Sequence, residues 1–181
     1  MVVGVPKEIK QNEKRVSLLP HLVKPINRLG HKVIVQSGAG EESGVSDNAY
    51  IKEGAEIASS INDIYNLSDL VIKVKEPLDS ELELIKDSQV IFTFFHFAGD
   101  RNLTDKFIQT NAIAVAYETV EDEYGNLPLL TPMSEIAGRM SVQNGAKYLE
   151  GTLGGKGKLL SGVPGVEPAT VTIIGGGVVG L

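Results

Sequence analysis

The chain has 181 residues, 42% of them hydrophobic, which suffices for one domain with a real core and the start of a second. It has no cysteine, so disulfides and thiolate metal sites are excluded. A net charge of −6 argues against nucleic acid and anionic membranes as partners, no apolar run approaches the roughly 20 residues of a membrane helix, and Met1–Lys7 lacks the layout of a signal peptide, so a cytoplasmic protein is expected.

Val2–Val5 reads as a short apolar strand ended by Pro6, and the polar loop Lys7–Arg15 follows. Pro20 opens a helix to Leu29, where Gly30 stops it; Leu22, Ile26 and Leu29 give it one apolar face. Lys32–Gln36 is a second strand, and Ser37–Gly40 turns the chain. Asp47 is placed as the cap of a short helix through about Glu53. A helix at Ile61–Asn66 leads to the strand Leu70–Val74. Ser80–Ile85 reads as a helix, Val90–Phe94 as a strand, Asn102–Thr110 as a helix and Ala112–Ala116 as a strand. Continuously apolar strands that alternate with helices mean a parallel sheet covered on both faces. The expected fold is therefore α/β, a doubly wound, mainly parallel Rossmann-like sheet over residues 1–131.

The polar turn Glu121–Asn126 ends the alternation. Thr131 as N-cap and Pro132 at the first helical position open a long helix to about Glu150, which carries the chain from one domain to the next over residues 132–150. Residues 151–168 hold six Gly and two Pro and read as a linker. Residues 169–181 then run Val171-Thr-Ile-Ile-Gly-Gly-Gly-Val-Val-Gly180-Leu. A strand entering Gly175-x-Gly177-x-x-Gly180 is the opening of a dinucleotide-binding βαβ unit. Gly175 allows the tight turn, Gly177 lets backbone approach a pyrophosphate, and Gly180 lets the next helix pack on the strand. The rest of that helix, and the acidic residue expected about 20 positions on, lie beyond Leu181. The segment is thus expected to be the truncated start of a Rossmann NAD-binding domain, with Val171–Ile174 a strand that frays for want of partners.

In open parallel sheets, ligands sit beyond the carboxyl ends of the strands. That rule selects Lys7, Glu8 and Arg15 after the first strand and Lys75 after Leu70–Val74. It also selects Phe95 and His96 after Val90–Phe94, and Tyr117 and Glu118 after Ala112–Ala116. Cations with an imidazole and a carboxylate suit a small carboxylate substrate. Arg grips a carboxylate bidentately, Lys stabilises developing charge on an oxygen, and His exchanges a proton near neutral pH. Plainer roles compete with each. His96 is flanked by Phe92, Phe94, Phe95 and Phe97 and could be packed among them. Lys75 could be a solvated lysine paired with Glu76, Arg15 a surface arginine, and Glu118 structural rather than catalytic. No His/Asp/Glu group has metal-ligand spacing.

Several ordered segments together resemble the N-terminal half of the alanine dehydrogenase family (alanine dehydrogenase and pyridine nucleotide transhydrogenase). They are Gly4–Glu8, Asn12–Val16, Ser37–Gly40, Val74–Pro77, Phe92–His96, Ala116–Val120, Leu129–Arg139 and Gly162–Pro168. The resemblance implies NAD-dependent, reversible oxidative deamination of L-alanine to pyruvate and ammonia. It also implies an N-terminal substrate domain, a C-terminal NAD domain and a homohexamer. Carried over residue by residue, Arg15 and Lys75 would bind the substrate carboxylate and carbonyl, and His96 would give and take the proton. Ser134 would contact the cofactor, and Gly175, Gly177, Val178, Val179 and Gly180 would form the pyrophosphate turn. The proton-translocating transhydrogenase alpha subunit is similar here but looks different where Lys75 and His96 stand. Saccharopine dehydrogenase is a more distant likeness, and the Ala116–Val120 and Gly162–Pro168 segments favour the alanine enzyme. A non-catalytic binding or assembly fragment is the remaining alternative. No turnover is expected of these 181 residues alone, since nothing in them can hold a nicotinamide over the substrate.

Overall fold

The computed structural model describes residues 1–181. The chain forms two compact units, Met1–Val120 and Glu121–Leu181, divided at the polar turn.

The first unit is built on six parallel strands. These are β1 (Val2–Val5), β2 (Lys32–Gln36), β3 (Glu56–Ala58), β4 (Leu70–Ile72), β5 (Val90–Thr93) and β6 (Ile113–Ala116). Helices α1 (Val23–Arg28), α2 (Asp47–Lys52), α3 (Ile61–Leu67), α4 (Asp79–Leu82) and α5 (Arg101–Ile108) connect them. The strand order is β3-β2-β1-β4-β5-β6, with Gly4 opposite Ile34 on one side and Val71 on the other. The chain winds outward from β1 to β3, returns to the far side of β1, and winds outward again. β1 and β4 therefore flank the point where the order reverses, which is where such sheets open a ligand crevice.

Alternating residues of each strand feed opposite faces, as the pleat requires. Val3, Val5, Val33 and Val35 join Val23 of α1 and Tyr50 of α2 in one core, and the Tyr50 hydroxyl donates to the Leu18 carbonyl at 2.7 Å. Ile34 turns the other way, to Ile64 of α3. A third cluster joins Val71 and Ile91 of the sheet to Leu82 of α4 and to Leu103 and Phe107 of α5. Only glycine fits at position 4, because a Cβ there would collide with the Ser68 hydroxyl and the Ile64 side chain.

Most elements lie where apolar periodicity puts them. The expected helix from Pro20 begins as a single 3-10 turn, Pro20–Leu22, and continues as α1. One cap reading is corrected here, and one strand is unexpected. Asp47 does not cap α2: Ser46 holds that position, and the Asp47 carboxylate accepts bonds from the Ser37 hydroxyl and the Gly38 N–H, pinning the Ser37–Gly40 turn. Strand β3 goes unseen in the sequence because it has three residues and only Ala58 is buried.

In the second unit, α6 (Thr131–Leu149) has no buried residue. Thr131 is its first helical residue rather than its cap. Leu130 takes the cap position, and the Thr131 hydroxyl donates back to the Leu127 carbonyl. Val171–Ile174 is not a strand. No other segment of this unit lies beside it to complete a ladder, and Ile174 is 97% exposed. No helix of the chain is long and apolar enough to cross a membrane.

Candidate functional site

The loop after β1, residues 6–19, carries Arg15 to the crevice. The Ser17 hydroxyl donates to the Ile72 carbonyl at 2.7 Å, tying this loop to the end of β4. Asn12 adopts φ +66° in a turn, a conformation that asparagine tolerates better than most residues. The turn presents Glu13 to Arg15. The Arg15 guanidinium donates from Nε to Oε1 at 2.8 Å and from Nη2 to Oε2 at 2.6 Å, a two-point grip on a carboxylate. The Glu13 side chain is only 7% exposed. Its pKa falls from 4.5 to about 2, first through the Arg15 hydrogen bond and in smaller part through the charge of Lys75.

Lys75 follows β4 by way of a buried polar cluster. The ammonium of Lys73, fully shielded from solvent, sits 2.7 Å from Glu81 and 3.3 Å from Glu8. The Tyr65 hydroxyl donates to Glu81 at 3.3 Å. Burial pushes both the Glu8 carboxyl and the Tyr65 hydroxyl up from their ordinary pKa values. The other oxygen of Glu8 accepts the backbone N–H of Val74 at 2.6 Å and, more distantly, that of Lys75 at 3.4 Å. From the opposite side the Thr93 hydroxyl donates to the Lys75 carbonyl at 2.8 Å. The Lys75 backbone is thus held from the loop after β1 and from β5. Its ammonium forms no ion pair, so the expected alternative of a Lys75–Glu76 pair is not what the structure contains.

His96 ends the β5 run in the left-handed region, at φ +56° and ψ +29°. Such a conformation in a non-glycine residue needs outside support. Glu118, after β6, supplies it by accepting the N–H groups of His96 at 2.6 Å and Phe95 at 3.3 Å. The expected structural role of Glu118 has this concrete form. The imidazole is half exposed, and its Nδ1 lies 3.1 Å from Oε2 of Glu76. Glu76 also takes a hydrogen bond from Lys10. Burial acts to raise the Glu76 pKa, but the Lys10 and His96 interactions outweigh it and the net shift is downward. His96 touches the phenylalanine cluster only at its edge, with its ring 6.1 Å from that of Phe94 and half exposed. Phe95 is the residue that turns inward, stacking on Phe97 at 4.4 Å and meeting Phe107 edge-on at 4.9 Å.

Arg15, Lys75 and His96 thus stand past the carboxyl ends of β1, β4 and β5, three neighbouring strands across the reversal point. The arrangement can bind a carboxylate, stabilise charge on an adjacent oxygen and exchange a proton. Sequence reasoning placed Glu8 on the rim and Glu76 beside Lys75 but missed Glu13, and it did not show that these three carboxylates hold the site. Their partners are far along the chain or inside a turn, and only their place in strand-end loops marked them.

In the second unit, Ser134 and the glycine segment line one cleft of about 950 Å³, together with Gly138, Val171 and Val179. Gly175 has φ +97°, and a Cβ at Gly180 would collide with the Gly175 carbonyl, so both positions call for glycine. A Cβ at Gly177 would meet only open space. The Gly180 and Leu181 N–H groups bond to the Gly177 carbonyl at 2.9 and 3.1 Å, which closes a turn. A tight turn with glycine at positions 175, 177 and 180 fits close backbone approach to a pyrophosphate. No group of three His, Asp or Glu side chains has the arrangement to hold a metal ion.

Comparison with known proteins gives concordant results. Residues 4–137 match the family described as alanine dehydrogenase/PNT, N-terminal domain, and residues 141–181 match its C-terminal domain. The chain is 52% identical over 180 residues to alanine dehydrogenase of Methanococcus maripaludis, covering 99% of this chain and 48% of that one. It is 50% identical over 180 residues to alanine dehydrogenase of Bacillus subtilis, covering 99% and 47%. A solved L-alanine dehydrogenase matches with a TM-score of 0.88 at 49% identity, covering 99% of this chain and 50% of that one. A transhydrogenase from Sinorhizobium meliloti shares the fold, with a TM-score of 0.72 at 24% identity over 82% of this chain and 45% of that one. The chain spans about half the length of the curated relatives it matches.

Proposed function

The chain belongs to the alanine dehydrogenase/PNT family, and on that premise we propose that it is the substrate half of an NAD-dependent L-alanine dehydrogenase. The reaction converts L-alanine, NAD and water to pyruvate, ammonium and NADH. The observation that carries this reading is the rim at the strand reversal, where Arg15 already grips a carboxylate and Lys75 stands close enough to bias it.

Arg15 takes the substrate carboxylate in its fork, which fixes the position of the α-carbon. Lys75 faces the oxygen that becomes the pyruvate carbonyl and stabilises the negative charge that develops there. Once the α-carbon has lost its hydride and become doubly bonded to nitrogen, His96 takes a proton from the water that adds there and returns one to the departing ammonia. Glu76, on Nδ1, holds the imidazole so that its other nitrogen faces the substrate. When bound, NAD supplies the hydride acceptor. Ser134 would contact the cofactor, and Gly175, Gly177, Val178, Val179 and Gly180 would hold its pyrophosphate end; the shared cleft and the glycine geometry support these roles. The division into a substrate domain over residues 1–131, a connecting helix over 132–150, a linker over 151–168 and a dinucleotide segment over 169–181 belongs to the same reading.

A homohexamer in the cytoplasm completes it. The bare surface of α6, with Val142 and Tyr148 more than half exposed, supports burial against other subunits. The test is L-alanine-dependent NADH formation by this chain joined to the remaining half of the Bacillus subtilis relative. Replacing Lys75 or His96 with Ala is expected to remove turnover, and unchanged turnover in either variant would sink the assignment.

A further inference from the structure

The Glu13 carboxylate is seated on Arg15 and makes the same two-point contact that a substrate carboxylate needs. It also feels Lys75, the second cation of the rim. Glu13 and Arg15 border a small open recess with Lys7, Glu8, Lys14, Ala39 and Glu42, so the pair opens to solvent on the loop after β1. Glu13 is held by a turn, and its backbone N–H bonds to the Lys10 carbonyl at 3.0 Å. No strand is disturbed when its side chain swings away.

We propose that Glu13 is an internal stand-in for substrate: it occupies the Arg15 fork until a ligand carboxylate displaces it, and so sets which acids the site admits. The proposal rests on the reading that Arg15 receives the substrate carboxylate. A bare carboxylate gains at Arg15 only what Glu13 gives up. An acid that also presents an oxygen to Lys75 and His96 gains two further contacts and wins the exchange. Glu13 thereby filters out simple carboxylates such as acetate. The cost is a lower apparent affinity for the true ligand, because only the fraction of molecules with Glu13 displaced can bind.

Calorimetric titration with pyruvate and with acetate, on the wild-type chain, Glu13→Gln and Arg15→Ala, tests this. Glu13→Gln is expected to bind pyruvate roughly fivefold more tightly and to gain measurable acetate binding. Arg15→Ala is expected to lose both. A purely structural role for Glu13 would leave affinity equal or weaker in Glu13→Gln, and that result overturns the proposal. So does absence of pyruvate binding in both the wild type and Glu13→Gln. If Glu13→Gln matches the wild type while Arg15→Ala abolishes binding, only the Glu13 proposal falls. If Arg15→Ala binds like the wild type, the substrate reading falls with it. Glu13→Asp, which keeps the charge but shortens the reach, replaces Glu13→Gln if circular dichroism shows the latter unfolded, and the same outcomes apply.

Discussion

Oε2 of Glu76 stands 3.1 Å from Nδ1 of His96, and the same carboxylate receives Lys10 from the loop after β1. Three strand-end loops therefore meet at one carboxylate, and the imidazole is oriented by its Glu76 contact, with the Phe94 ring 6.1 Å from it. In the completed enzyme, Glu76→Ala is expected to lower kcat for L-alanine by roughly tenfold while KM changes little, because the ring loses its orientation and not its substrate. Steady-state NADH formation measures this, and a change confined to KM would place Glu76 in substrate binding instead.

Glu8 holds the backbone of Val74 and Lys75 and shares the buried Lys73 with Glu81. Glu8→Ala removes both supports. It is expected to raise KM for L-alanine through misplacement of Lys75, and to lower stability by about 1–3 kcal/mol because the Val74 N–H loses its acceptor while Lys73 keeps Glu81. Urea unfolding monitored by circular dichroism gives the second quantity.

Gly4 faces the Ser68 hydroxyl and Ile64 across the β1–α3 packing, with no room for a methyl group. Gly4→Ala should cost about 1–3 kcal/mol by forcing α3 off the sheet. The Ser68 hydroxyl is buried without a hydrogen-bond partner, so combining Gly4→Ala with Ser68→Ala is expected to restore part of the loss. Thermal melts of the single and double variants would show it.

The Glu13–Arg15 pair makes stability depend on acid. The folded-state pKa of Glu13 is depressed from 4.5 to about 2, chiefly by the Arg15 hydrogen bond. Its contribution is therefore complete above the unfolded value and is lost as pH falls from about 4.5 towards 2. Glu13→Gln has no such contribution to lose, so its stability should fall less steeply than the wild type across that window. Denaturant midpoints at a series of pH values test this, and parallel curves would contradict it.

Much of this site was legible because strand ends are legible. Apolar runs marked β1, β4 and β5, and the residues just past them included Arg15, Lys75 and His96. The carboxylates were not legible as partners. Glu8 reaches Val74 across 66 positions, and no local pattern encodes a pairing at that separation. Asp47 shows the same limit from the other side, since its residue type suits a helix cap while its actual bonds run back to the Ser37–Gly40 turn. Val171–Ile174 has strand composition but forms no strand, because a ladder needs a neighbour that the composition cannot supply.

The central claim is that Arg15 and Lys75 act on one substrate molecule, and a double-mutant cycle tests it most directly. L-alanine kcat/KM would be measured for the completed enzyme, Arg15→Ala, Lys75→Ala and the double variant. The account predicts large single losses that do not add, with a coupling of about 0.5–3 kcal/mol. Losses that add to within about 0.3–0.5 kcal/mol, or a single variant with full activity, would contradict it.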